Sequence, residues 1–409
     1  MLRQGLIGFS AILGASVLSY VYHFILVRLL DTGTYGSLSI IIGLFTIFII
    51  PTQSIQRILA RDVAKLYHGG GEDEARHLLR SSAKTVSVIG VVVGVIFLAS
   101  AYAVSAIYDE PRLIAPLIAL AFLAPFWYVL HVFKGYIQGR EKMMVLGTTI
   151  VIEQAVKVVV GTALVLLGFS LFGAGAAIGS GVLVALPFML IFCLKDFTGS
   201  VKKYKTSFTA SFTKIFMADV LLMVFIFLDL FFVKYYLGST QAGYYNVAAL
   251  TSKVLMYSMF GIMLAFLPRA SKLSIRDDWG KIRVLMVKSA AILLPLFLFL
   301  IVFTEPIVTI SYTRDYLPAV PALRILLAGM FIYALFNIPL NLLWSQKEED
   351  YPLALAAAII VVDAILLYFL IPRYGLTGAA LSTTLAATLL LAASYAKVAG
   401  MRKFNAPVK

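Results

Sequence analysis

The residues best able to do chemistry are ionisable groups embedded in apolar sequence. Lys253 stands nine residues into an apolar stretch over 244–267. A cation at that depth is costly and marks a functional hypothesis. It could meet an anionic group on a ligand, where electrostatic attraction is stronger than in water. It could equally pair with Asp229 of the preceding stretch, because a 1.5 Å rise over a core of about 30 Å separates the two in depth by only about 5 Å. Glu153 and Lys157 lie four apart on another apolar stretch. That spacing places them on one helical face in the favourable order, as a self-neutralising pair or as a proton- or sodium-coupling site. Asp363 has no local partner and is a coupling carboxylate or a protonated packing residue.

Other candidates carry weaker signals. His23 and His131 are lone imidazoles, a type more often hydrogen-bonded in packing than used as a ligand. Asn246, Asn337 and Asn341 could bond a polar ligand or a neighbouring helix. Arg57 and Arg61 close the second apolar stretch, at the end an anionic ligand would enter from. Arg28 and Lys234 read as interfacial anchors, and Lys134, Lys288 and Arg324 are expected to snorkel. The four histidines form no metal spacing. There is no phosphate-binding loop of the ATPase type, and neither an enzyme constellation nor a cofactor is expected.

The elements that hold these residues follow from composition. Of 409 residues 61% are apolar and 13% charged, against about 45–50% and 25% in a soluble domain. Apolar runs longer than about 18 residues require a lipid solvent. Backbone groups there must bond internally, so the runs are helices. The expected fold is an all-α polytopic membrane protein with twelve spans, at 6–27, 36–58, 85–107, 113–137, 144–167, 174–194, 215–236, 244–267, 285–304, 321–344, 352–371 and 378–397. The first apolar run is too long for a signal-peptide core and reads as a retained helix. Pro51, Pro116, Pro125, Pro187, Pro295 and Pro339 favour kinks. The glycine run 173–181 reads as close helix packing.

With the N-terminus inside, 24 of the 34 Lys and Arg residues fall on inner segments and 5 on outer ones. Basic residues concentrate on cytosolic loops, so both termini are expected in the cytoplasm of a multi-pass plasma-membrane protein. The pI near 9.6 follows from the same loops and implies no nucleic acid. The segment 59–84, with Gly69-Gly70-Gly71 and the charged stretch Glu72 to Arg80, is expected at the inner surface near anionic headgroups. The single cysteine, Cys193, permits no internal disulfide.

Three local echoes divide the chain. Val27-Arg28 through Tyr35-Gly36 resembles Val233-Lys234 through Ala242-Gly243. Arg61 through Leu66 resembles Pro268 through Leu273. Gly173-Ala-Gly175-Ala-Ala resembles Gly375-Leu-Thr-Gly378-Ala-Ala. The shifts lie between 202 and 207. The expected domains are a six-helix half over 1–195, a basic cytosolic connector over 196–214, and a second six-helix half over 215–409. Six helices per half make the repeats parallel, facing a central cavity of the transporter kind.

The echoed positions also carry a family pattern. Val27-Arg28-Leu-Leu followed by Tyr35-Gly36, Leu228-Asp229 through Val233-Lys234, Ala242-Gly243-Tyr244-Tyr245-Asn246, Gln138-Gly139-Arg140-Glu141-Lys142 and Arg373-Tyr-Gly-Leu-Thr-Gly-Ala-Ala resemble the polysaccharide-biosynthesis, or oligosaccharide flippase, family. That family belongs to the multidrug/oligosaccharidyl-lipid/polysaccharide exporter superfamily. The resemblance implies alternating-access translocation of a polyprenyl-(pyro)phosphate-linked oligosaccharide from the inner to the outer leaflet, with membrane lipids and polysaccharide-assembly proteins as partners. Under it, Lys253, Arg57, Arg61, His23, Asn246 and Asn337 are candidate substrate contacts. Asp229, Glu153, Lys157 and Asp363 are candidate ion-coupling groups. The alternative within the superfamily is a cation-coupled multidrug exporter.

Overall fold

The structure is a computed structural model that describes residues 2–49, 51–198, 210–270, 279–346 and 348–404. The described residues are almost entirely helical and contain no strand. The chain divides into two compact units, Met1–Phe208 and Thr209–Lys409.

In the first unit α1 is Leu2–Leu29, α2 Thr32–Ile49, α3 Pro51–His68 and α4 Glu72–Ile107. They are followed by α5 Ile114–Gly139, α6 Met143–Leu164, α7 Ser170–Ser180 and α8 Val182–Thr198. The second unit holds α9 Ala210–Ala270, α10 Trp279–Val302 and the short α11 Thr304–Ser311. It ends with α12 Val320–Ser345 and α13 Asp350–Phe404.

Nine helical stretches among the described residues are long and apolar enough to cross a membrane. Three of them, Met143–Phe197, Thr213–Met259 and Asp350–Met401, hold 55, 47 and 52 residues, more than twice the roughly 20 that one crossing needs. Each is interrupted by a glycine in left-handed backbone: Gly168 at φ 91°, Gly238 at φ 81° and Gly375 at φ 57°. Glycine reaches that region without the Cβ clash that other residues incur. The sharp breaks therefore fall at glycine. Pro125, Pro187, Pro295 and Pro339 all sit inside helices that continue past them.

One expected loop is largely helical. The 59–84 segment leaves the helix only at 69–71; α3 extends to His68 and α4 starts at Glu72. The charged residues Glu72, Asp73 and Glu74 occupy the first turn of α4, where carboxylates favour the helix dipole. At the edges of the expected connector α8 carries Lys195 and Asp196 within its last turn and α9 begins at Ala210, while 199–209 lie outside the described residues. The echo of Arg61–Leu66 at residues 268–273 falls partly outside the described residues.

Candidate functional site

In the first unit two buried charges, Lys134 and Glu153, form a closed pair. Lys134 of α5 places its Nζ 2.6 and 2.8 Å from the two carboxylate oxygens of Glu153 on α6. Both side chains are about 95% buried. Glycine makes room for the arrangement, because a methyl on Gly181 would lie 2.5 Å from the Glu153 carbonyl oxygen. The expected Glu153–Lys157 pair does not form. Helical spacing brings Lys157 to the right face, but Lys134 arrives from a second helix with its ammonium already between the two oxygens. Lys134 thus does not snorkel. Lys157 instead donates to Ser19 Oγ at 3.1 Å and lies 5.0 Å from the Tyr22 ring centroid on α1.

The histidines fall into packing geometry. His23 Nδ1 lies 3.1 Å from the Tyr35 hydroxyl, linking α1 to α2. His131 Nδ1 is 3.0 Å from the Trp127 carbonyl one turn earlier. The Val27-to-Gly36 pattern builds the α1–α2 hairpin. Asp31 Oδ1 accepts the Thr34 N–H at 2.9 Å, a helix N-cap. Burial raises the Asp31 carboxyl, but its bonds to Thr34 and Gly33 outweigh this and hold it below its ordinary value.

The end of the first unit that carries 67–76, 140 and 196 has an ionic hub that the sequence reading did not assign. Asp196 Oδ2 accepts from Arg140 at 2.6 Å, and its Oδ1 lies 3.4 Å from Arg76 Nε. Arg80 donates to the Asp196 carbonyl at 3.0 and 3.1 Å. Arg140 also lies over the rings of Tyr67 and Tyr136, which share a hydrogen bond of 3.0 Å. The hub ties α3, α4, α5 and α8 together. Asp196 is the lone carboxylate in a basic segment, and that was the available signal.

The second unit is arranged differently. Asp229 on α9 is 1% exposed. Its Oδ2 accepts from the Tyr245 hydroxyl at 2.7 Å and from Thr383 Oγ1 at 3.0 Å. Its Oδ1 accepts the Leu230 N–H. Asp363 on α13 is fully buried; its Oδ1 accepts from Ser382 Oγ at 2.6 Å, while Oδ2 has no hydrogen-bond partner among the described residues. The adjacent Ser382 and Thr383 thus connect the two carboxylates. Lys253, 3% exposed, makes no ion pair with Asp229. Its Nζ lies 3.8 Å from the Phe227 ring centroid. Asn246, seven residues earlier on the same helix, is buried with its Nδ2 unbonded among the described residues.

The remaining candidates disperse. Asn337 Nδ2 bonds the Tyr333 carbonyl, and Asn341 Nδ2 bonds the Asn337 carbonyl, so both serve α12 itself. Lys234 is buried and donates to Ser239 Oγ at 2.9 Å, across the Gly238 break. Arg28 folds back onto Phe24. Arg57 is exposed and donates to Ser54 Oγ, and Arg61 pairs with Asp62 at 2.9 Å. Arg324 is exposed and lies 3.1 Å from Glu305. Among the described residues no three His, Cys, Asp or Glu side chains converge as a metal site requires.

Long apolar helices broken at glycine, with ionisable groups sealed inside, define a multi-pass membrane protein. The fold is that of solved transporter structures. An inward-facing multidrug resistance MATE family transporter of the MOP superfamily matches at a TM-score of 0.77, with 12% identity and 96% of each chain covered. The MATE multidrug transporter DinF-BH matches at 0.72, with 15% identity over 98% of this chain and 95% of that one. The chain belongs to the polysaccharide biosynthesis protein family, whose profile matches residues 1–274. A putative O-antigen transporter of Shigella flexneri is 24% identical over 168 residues, 41% of this chain and 40% of that protein. An uncharacterized membrane protein of Methanocaldococcus jannaschii is 27% identical over 167 residues, 38% and 32% respectively. The aligned part thus spans a third to two fifths of these relatives.

Proposed function

We propose that the protein is a flippase for a polyprenyl-(pyro)phosphate-linked oligosaccharide, moving it from the inner to the outer leaflet of the plasma membrane by alternating access. Lys253 carries the reading. An ammonium sealed in lipid-embedded sequence, set on an aromatic face with no carboxylate at salt-bridge distance, is an expensive arrangement for packing alone. Asn246 lies seven residues away, two turns along the same face, with its amide donor also unbonded. Together they offer a phosphate oxygen and a sugar hydroxyl what each lacks. His23, Arg57, Arg61 and Asn337 are the further candidate contacts for the substrate, and the work needs neither enzyme chemistry nor a cofactor.

Topology supports the same reading. Splitting the three overlong stretches at Gly168, Gly238 and Gly375 turns nine spans into twelve, six in each unit. With the basic ends inside, both termini are cytoplasmic. The glycine breaks at 168 and 375 are 207 residues apart, close to the shift of the sequence echoes, as parallel repeats require. Asp229 and Asp363 are the favoured coupling groups, since one carboxylate oxygen of Asp363 is uncommitted and two hydroxyls join the pair. Glu153 and Lys157 are weaker candidates, the first because Lys134 already neutralises it.

The test is reconstitution in liposomes with a fluorescent lipid-linked oligosaccharide and a reducing agent outside to score the outer leaflet. Wild type is expected to move the lipid, Lys253→Ala to lose at least tenfold in rate, and Asp363→Asn to lose the response to an ion gradient. Full activity in Lys253→Ala removes that residue from the site. Absence of flipping, with export of an organic cation that Asp363→Asn abolishes, replaces the proposal with a multidrug exporter.

A further inference from the structure

The helices α4 and α10 are matched in packing but not in apolar length. At an offset of 203 residues the buried Ser82, Val86 and Phe97 of α4 fall on the buried Leu285, Ser289 and Leu300 of α10. The opposite faces are exposed and apolar, with Val88, Val92 and Val95 on one and Ile292, Leu298 and Val302 on the other. With the basic ends inside, each exposed face closes on a lysine at its inner side. Lys84 and Lys288 are both exposed, and the ammonium of neither makes an ion pair, hydrogen bond or ring contact among the described residues.

The two lysines stand at different depths. No charged residue lies between Lys84 and Asp109 or between Lys288 and Glu305. From Lys84 to the end of α4 at Ile107 the helix rises about 35 Å, enough for a hydrocarbon core of about 30 Å. From Lys288 to the end of α10 at Val302 the rise is only about 21 Å. The helix breaks at Phe303, and Glu305 in the first turn of α11 is exposed and lies 3.1 Å from the exposed Arg324. Polar surface has resumed there. Lys288 therefore lies about 9 Å inside a core of ordinary thickness, on a face open to lipid. Its flexible stem recovers part of that gap.

We propose that Lys288 binds the phosphate of an anionic phospholipid of the inner leaflet, drawn below the ordinary headgroup level, so that the bilayer thins beside α10. The lipid phosphate supplies the counter-charge that no side chain does, and a cation in hydrocarbon is costly without one. Local thinning is also how a bilayer accommodates an apolar run too short to cross it. The acyl chains of the bound lipid lie along the exposed apolar face above Lys288. Neither Lys253 nor Asn246 takes part, and the contact does not depend on what the protein transports.

The test uses the full chain in phosphatidylcholine nanodiscs containing a minority of phosphatidylglycerol, with native mass spectrometry to count retained phosphatidylglycerol. A cation beside an anionic headgroup is worth about fivefold in binding. Lys288→Leu should therefore retain phosphatidylglycerol about fivefold less well, and Lys288→Arg should match wild type. Lys288→Leu also extends the uncharged run to 284–304. Across nanodiscs of increasing acyl-chain length its Tm should peak in a thicker bilayer than that of wild type, whereas Lys84→Leu should move the peak less. Unchanged phosphatidylglycerol retention in Lys288→Leu overturns the proposal, and so does an unchanged thickness optimum. A wild-type dimer that Lys288→Leu separates gives this face to a second copy of the chain and also overturns it. Retention of a sugar-free polyprenyl diphosphate through Lys288 in preference to phosphatidylglycerol does the same, by making the lysine a substrate contact.

Discussion

Two clusters of buried charge, one in each unit, are handled in opposite ways. In the first unit Lys134 and Glu153 neutralise each other at salt-bridge distance across two helices. In the second, Asp229 is satisfied by two hydroxyls and a backbone N–H, Asp363 keeps one oxygen unbonded, and Lys253 rests on a phenyl ring. The offset of 206 residues that carries Arg28 onto Lys234 also carries His23 onto Asp229 and Lys157 onto Asp363. Where one half has an imidazole and an ammonium, the other has two carboxylates. A closed ion pair spends its charges on holding helices together. Lys253, buried with no carboxylate at salt-bridge distance, remains available to something that arrives, which is why the second unit carries the functional reading.

Matched substitutions test that contrast most directly. Lys134→Met leaves the Glu153 carboxylate buried without its cation, and removing one partner of a buried pair costs about 3–5 kcal/mol. The expected result is a large fall in Tm in detergent, recovered in good part by adding Glu153→Leu. Equal stability of wild type and Lys134→Met would mean that the pair does not hold the first unit. Gly181→Ala comes next. Its methyl would meet the Glu153 backbone, an obstacle that cannot rotate away, so the cost should be about 2–3 kcal/mol, the upper part of the range for overpacking. A Gly181→Ala protein with wild-type Tm would contradict the close approach of α8 to α6.

Glycine also marks what could be read without coordinates. The apolar runs, their helical state and the role of the 173–181 glycines in close packing follow from composition and spacing, and the structure has them. Glu153 was legible as a buried carboxylate, and its partner was not. Four-residue spacing is a local rule that names Lys157, whereas Lys134 reaches Glu153 from another helix through packing that one sequence does not encode visibly. Asp196 was missed for a related reason. It looked like part of a solvated basic connector, and only the continuation of α8 to Thr198 brings it to Arg76 and Arg140. The sequence places Lys253 and Asp229 at similar depth, but similar depth does not amount to contact. Tyr245 and Thr383 reach the carboxylate first.

Thr383→Val probes that competition. It deletes one of three donors to Asp229 and nearly preserves shape. A hydrogen bond to a charged group contributes about 1.5–3 kcal/mol, and the Tyr245 bond survives, so a loss of about 1–2 kcal/mol is expected. The measurement is chemical or thermal unfolding of the purified variant beside Thr383→Ser, which should retain most of the stability. If the serine variant is no better than valine, the hydroxyl is not what holds Asp229, and the network joining it to Asp363 loses its central link.

The smallest expected effect is the most informative one. Lys253→Met removes a buried cation that has no carboxylate at salt-bridge distance, while Asp229 keeps its two hydroxyl donors and the Leu230 N–H. Replacing such a charge with an apolar side chain of similar length relieves desolvation and leaves no bonded partner stranded. Stability should change by no more than about 0.5 kcal/mol, the range of an ordinary tolerated substitution, or should rise. Beside the large loss from Lys134→Met, the same exchange in two units would then give opposite answers, and a transport defect in Lys253→Met could not be blamed on unfolding. A Tm that drops as far as that of Lys134→Met would show that Lys253 neutralises Asp229 despite the distance between them. It would place both units in the same structural class and leave the substrate phosphate without its cation.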